Sequence, residues 1–123
     1  MSGNIFLDTN AIINALNRGI FLPKRNYFIS IITEMELLSF SRLTNEEELI
    51  IRELLSNFTI VNIENEIKEI SIKIRKKYNL KLPDSIICAS AISKESILIS
   101  NDIELKKIEE LKVIPLDDFL VSL

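Results

Sequence analysis

Along this chain the hydrophobic pattern switches period repeatedly, from short apolar runs to apolar residues recurring every three or four positions. Strands interleaved with helices present themselves in this way. Asn4 to Leu7 reads as a strand, and Asp8-Thr9-Asn10 offers caps for a helix through Ala11 to Leu16 that Gly19 ends. Tyr27 to Ile32 is a second strand, after which Thr33 and Glu36 have capping-box spacing and open a helix through Leu37, Leu38 and Phe40. Thr44 and Glu47 form a second box before Leu49, Ile50, Leu54 and Leu55, and Phe58 to Ile63 is a third strand. Ile67, Ile70 and Ile74 give Glu64 to Tyr78 one apolar face on an otherwise charged helix. Pro83 suits the first turn of the next helix, Asp84 to Lys94, where Ala89, Ser90 and Ala91 permit close packing. Ile97 to Ser100 is a buried strand, Asp102 to Ile108 a short helix, Lys112 to Leu116 a last strand, and Asp117-Asp118-Phe119 a turn. The expected architecture is a three-layer α/β/α arrangement around a mostly parallel sheet.

At 123 residues and 47% hydrophobic content, one domain over residues 1–123 with a substantial core is expected. No linker, repeat or low-complexity segment interrupts it. No apolar run approaches the ~18 residues of a membrane span, and Met1-Ser2-Gly3-Asn4 lacks the basic flank of a secretory signal, so a cytoplasmic protein is expected. A net charge of −3 argues against a uniformly positive surface, although a local basic patch can still serve nucleic acid.

Composition removes several chemistries. With no histidine there is no histidine-based triad and no H-E-x-x-H zinc site. One cysteine, Cys88, rules out a disulfide framework, and among Ile86, Ile87 and Ala89 it reads as a core thiol. Gly3 and Gly19 are too few and wrongly spaced for a dinucleotide fingerprint or a Walker A loop. The remaining working groups are the eighteen carboxylates. In open α/β sheets ligands sit beyond the carboxyl ends of the strands, and four acids fall there: Asp8, Glu36, Asp84 and Asp102. Taken singly, each is an ordinary residue of a helix start. Brought together they would repel, and a hard cation such as Mg²⁺ or Mn²⁺ resolves that conflict while leaving positions open for a phosphate oxygen and a water.

Phe6-Leu7-Asp8-Thr9-Asn10, Ser30-Ile31-Ile32-Thr33-Glu34-Met35-Glu36-Leu37, Leu82-Pro83-Asp84-Ser85-Ile86-Ile87-Cys88-Ala89-Ser90-Ala91 and Ser100-Asn101-Asp102, in that order, resemble the motifs of PIN-domain ribonucleases. The VapC-like toxins of toxin-antitoxin pairs are the nearest likeness, which spans nearly the whole chain. The resemblance implies a metal-dependent endoribonuclease whose ligands are Asp8, Glu36, Asp84 and Asp102. Asp8 and Asp84 would hold the principal Mg²⁺ or Mn²⁺ ion, while Glu36 and Asp102 complete the site and help position water. Glu34 is the neighbouring candidate, but the spacing from Ser30 and Thr33 favours Glu36. Ser100-Asn101 departs from the threonine often found before the last aspartate. The implied partners are an RNA substrate, a small cognate antitoxin and a second copy in a homodimer. Ile12 to Leu16 and Leu37 to Phe40 serve either as faces for those partners or as core.

Thr9 and Asn10 are equally suited to bonding the site and to capping a helix. Arg75, Lys76, Lys77 and Lys81 form a basic run beside Asp84, read either as a solvated helix face or as a phosphate-contacting rim. Tyr27, Tyr78 and the phenylalanines read as core. Other classes fit less well. A haloacid-dehalogenase-like phosphatase wants a second aspartate where Asn10 stands, a receiver domain wants an acid at Leu7, and an aspartic protease wants a glycine after Asp8-Thr9. The alternative from another class is a PIN-like module that binds RNA or protein without cutting.

Overall fold

A computed structural model describes residues 3–122. Met1 and Ser2, on which the reading of the N-terminus partly rests, lie outside the described residues, as does Leu123. Five strands, β1 (Ile5–Leu7), β2 (Tyr27–Ser30), β3 (Thr59–Val61), β4 (Ile97–Ile99) and β5 (Val113–Ile114), form one sheet in the order β3-β2-β1-β4-β5. Every pairing is parallel. Ile5, Phe6 and Leu7 are all buried, as befits a central parallel strand covered on both faces.

Period-two alternation divides β1 between two cores. Ile5 and Leu7 face a cluster with Ile12 and Ala15 of α1 (Thr9–Asn17), Leu37 of α2 (Ile31–Leu38), Ile51 and Leu55 of α3 (Asn45–Leu55), and Phe119 of α6 (Leu116–Val121). Phe6 faces the other cluster, with Ile67 and Ile74 of α4 (Asn65–Tyr78), Ile87 and Cys88 of α5 (Leu82–Ser93), and Leu105 of a short 3-10 helix (Ile103–Lys107). Helices α4 and α5 make an antiparallel hairpin, shown by the Ser71–Ser85 hydroxyl bond of 3.0 Å near one end and the Glu64–Lys94 ion pair near the other. The three-layer α/β expectation holds, with a wholly parallel set of pairings.

Local differences have physical causes. β2 stops at Ser30 instead of Ile32, because the Ser30 hydroxyl caps α2 by accepting from Ile32 N at 3.0 Å. Thr33 and Glu36 therefore form no capping box; Thr33 is fully buried inside α2 and Glu36 is exposed. The Thr44/Glu47 box does form, with both reciprocal bonds present. Asp117-Asp118-Phe119 is the first turn of α6 and not a free turn, since its acids suit a helix N-terminus and Phe119 is pinned edge-on against Tyr27. Phe21 and Phe40 are exposed, contrary to the core reading of the phenylalanines, and Tyr78 is half-buried with its hydroxyl on Glu110. Of the two apolar stretches, Ile12, Ala15 and Leu37 are core, and Phe40 is the one exposed large apolar side chain. No helix among the described residues is long and apolar enough to cross a membrane.

Candidate active site

The strand order runs outward from β1 to β2 and β3 on one side and through β4 to β5 on the other. This reversal opens a crevice beyond the carboxyl ends of β1 and β4. Asp8 leaves β1 there, held by its backbone N–H to Ile99 O at 3.0 Å. Its side chain is only 4% exposed. Oδ1 accepts from Thr9 N at 2.8 Å and Oδ2 accepts from the Ser100 hydroxyl at 2.6 Å. Burial raises the Asp8 carboxyl to about 6; the bonds from Ser100 and Thr9 oppose the shift, and the charges of Asp84 and Asp102 add to it.

Asp84 enters from the first turn of α5, and burial, then the nearby charges of Asp102 and Glu36, push its carboxyl above the usual range, while Lys81 pulls the other way. Asp102 follows β4, its backbone N–H on Ser100 Oγ at 3.1 Å and its Oδ1 accepting from Glu104 N at 3.0 Å. Glu36 reaches the site from α2, its Oε1 accepting from the Thr9 hydroxyl at 2.7 Å, and Thr9 Oγ1 lies 2.9 Å from Thr33 Oγ1. Glu34 makes no hydrogen bond to any of these groups. Beneath them sits Cys88, whose thiol is pushed far up by burial and by the charges of Asp8, Asp84 and Asp102, an inert core thiol as expected.

The four acids thus share one sheet edge. Asp8, Asp84 and Asp102 lie within electrostatic reach of one another, and Glu36 within reach of Asp84. Among the described residues, no three acid or thiol side chains are gathered tightly enough to enclose an ion as they stand. Carboxylates alone supply the donors, which is a hard-cation set.

Residues beyond the acids organise the crevice. Asn10 Nδ2 donates to Ser100 Oγ at 3.4 Å, Asn10 Oδ1 accepts from Asn101 N at 3.1 Å, and Asn101 Oδ1 accepts from Leu116 N at 3.0 Å. Thr9 and Asn10 are therefore site-bonding residues and not only caps. Ser100, noted in the sequence only as part of the last motif and as a departure from the usual threonine, proves central to the bonding: one hydroxyl joins Asp8, Asp102 and Asn10. Its signal was a polar residue closing an apolar strand two positions before an aspartate. Removing that hydroxyl (Ser100→Ala) deprives Oδ2 of its donor, so metal affinity or activity should fall about 10- to 100-fold with the fold intact. Metal titration beside a thermal melt measures both.

The PIN domain family model matches residues 5–111, and the chain belongs to the PIN domain family. Its fold is VapC-like. A toxin-antitoxin complex from Klebsiella pneumoniae contains a chain 31% identical, with 91% of this chain and 97% of that one covered and a TM-score of 0.76. VapBC2 from Rickettsia felis, bound to a DNA fragment from its promoter, matches at 20% identity, 91% and 98% coverage and a TM-score of 0.79. DNA-bound VapBC from Salmonella typhimurium gives 19%, 92% and 98%, and 0.78. No curated protein matches the chain.

Proposed function

We propose that this protein is a Mg²⁺- or Mn²⁺-dependent endoribonuclease and the toxin of a toxin-antitoxin pair. One observation carries the catalytic part: a buried Asp8, bonded on both oxygens, faces Asp84 and Asp102 across the crevice at the sheet's carboxyl edge. Negative charges gathered around a buried carboxylate call for a cation, and the all-oxygen donor set suits a hard one.

Asp8 and Asp84 are the residues to hold the ion, with Glu36 and Asp102 completing the site. A bound divalent ion supplies neutralisation of the phosphate and a lowered pKa for an attacking water. The chain's own part is orientation. The Ser100 hydroxyl fixes Asp8 Oδ2, the Thr9 hydroxyl fixes Glu36, and the Glu104 N–H fixes Asp102 Oδ1, leaving the other Asp102 oxygen for water. No imidazole is available, so proton transfer falls to carboxylates and solvent.

The antitoxin part rests on the 31% identical relative being described as part of a toxin-antitoxin complex. Exposed Phe21, Phe40, Leu49 and Ile50 around α1 and α3 provide apolar surface for a small antitoxin or a second copy in a homodimer. In this reading the protein acts in the cytoplasm.

The test is cleavage of single-stranded RNA by the purified chain in millimolar Mg²⁺, in Mn²⁺, in Zn²⁺ and in chelator. Cleavage is expected with Mg²⁺ and Mn²⁺ and lost in chelator. Activity that survives exhaustive chelation, or that zinc supports far better than manganese, overturns the metal assignment. Binding of RNA without cutting in any metal leaves a non-catalytic PIN-like module in its place.

A further inference from the structure

The basic run Arg75 to Lys81 is not uniform once folded. Lys77 is committed: it pairs with Glu110 at 3.3 Å and lies over the Tyr78 ring. Arg75 and Lys76 are exposed and have no ion-pair partner among the described residues. Both line a groove of about 400 Å³ between the last turns of α4 and the start of α5, together with Ser71, Ile72, Asn79 and Leu82. Asn79 closes α4 in the left-handed conformation, with φ 55°, and so turns the chain sharply into α5. The turn puts the connected end of the helix hairpin beside the crevice, because Leu82 on the groove wall stands two residues before Asp84. Lys81 is at the junction, close enough for its charge to act on Asp84.

A positive groove thus runs up to a negative site on one helix turn. Arg75 and Lys76 form no ion pair with the acids of the described residues. We infer that the groove is a subsite for a backbone phosphate of single-stranded RNA flanking the cleaved bond, with Arg75 and Lys76 as its charged contacts, Asn79 as a polar one, and the exposed Ile72 and Leu82 as apolar rests for sugar or base. This rests on the ribonuclease reading for the identity of the polyanion. An acidic protein segment is the competing occupant, and the position of the groove beside the crevice proposed to cut a phosphodiester favours the nucleic acid.

The experiment compares wild type, Arg75→Ala/Lys76→Ala and a control of equal charge off the groove, Lys24→Ala/Lys73→Ala. Binding of a fluorescein-labelled oligoribonucleotide of mixed sequence is followed by anisotropy in chelator at several salt concentrations, and kcat and KM are measured in Mg²⁺. The groove variant should bind about tenfold more weakly. Its slope of log affinity against log salt should be shallower by about 0.7, the value for one phosphate on a single strand. KM should rise about tenfold with kcat nearly unchanged, and Arg75→Lys should keep the wild-type slope. Equal slopes and equal KM in wild type and groove variant overturn the subsite while leaving the nuclease reading standing. So does a groove variant that binds RNA normally but loses an acidic protein partner. RNA binding that is lost in the groove variant and retained in the control upholds the subsite even where no cutting is seen, and in that case only the nuclease reading fails.

Discussion

Asp84→Asn is expected to abolish metal-dependent RNA cleavage, lowering kcat/KM by on the order of a thousandfold or more, while the protein stays folded. Asp84 is the cleaner of the two principal acids to change. It is half-buried, and its carboxyl takes part in no hydrogen bond that holds α5 in place, whereas Asp8 is locked by Thr9 and Ser100. The amide keeps the side chain's shape and removes one of the charges that oppose the ionisation of Asp8. Metal-free Asp84→Asn should therefore melt no lower than wild type, and its response to added Mg²⁺ should vanish. Calorimetry with and without Mg²⁺, run beside a cleavage assay free of contaminating nuclease, reads both. Undiminished turnover would remove Asp84 from the site.

The second large effect is on stability against pH. Asp8 has its carboxyl raised from 3.8 to about 6 in the folded chain, mainly by burial. A folded state that holds a proton more tightly than the unfolded one loses stability as that proton leaves. The loss is absent below about pH 4, grows through the interval up to about pH 6 and is complete above it. At about 1.4 kcal/mol per unit the whole change is about 3 kcal/mol for the metal-free protein. Urea unfolding in chelator should show this decline, and Asp8→Asn should flatten it. The absolute stability of that variant is a poorer guide than its slope. Ser100 Oγ already accepts from Asp102 N and Asn10 Nδ2, so an amide at position 8 must turn a donor toward Thr9 N or toward Ser100, at a cost of about 1–3 kcal/mol. Parallel pH curves for the two proteins would show that Asp8 is not the buried titrating group. Mg²⁺ should raise the wild-type curve most at neutral pH, where the carboxylates are ionised and able to bind it.

Asp8, Asp84 and Asp102 could be placed at the sheet edge from the sequence because each stands at a strand end or a helix start, a position set by local pattern, whereas Glu36 sits in the second half of α2 and reaches Thr9 from there. The role of Ser100 could not be read in this way. A serine closing a strand is an ordinary turn residue until β4 is known to lie beside β1, and that adjacency joins residues 92 positions apart. The helix start at Ile31 was missed for a related reason. Ser30 and Thr33 offer two caps within four residues, and the choice falls to Ser30 because Thr33 is drawn inward to Thr9 from a distant turn. Thr44 and Glu47 had no such competitor, and their box forms as read. Phe21 and Phe40 show the limit from the other side: an apolar residue in an apolar run carries no mark of which way it points.

The placement of β4 against β1 also imposes an order in time. Asp8 is made 92 residues before Ser100, and its Oδ2 has no hydroxyl, and its backbone N–H no carbonyl, until Ser100 and Ile99 have left the ribosome and docked. Before that moment the first helix can form and pack, but the crevice lacks one wall. A nascent chain that ends short of β4 therefore has Asp8 but not the wall that fixes it. The crevice is complete only once β4 has closed against β1.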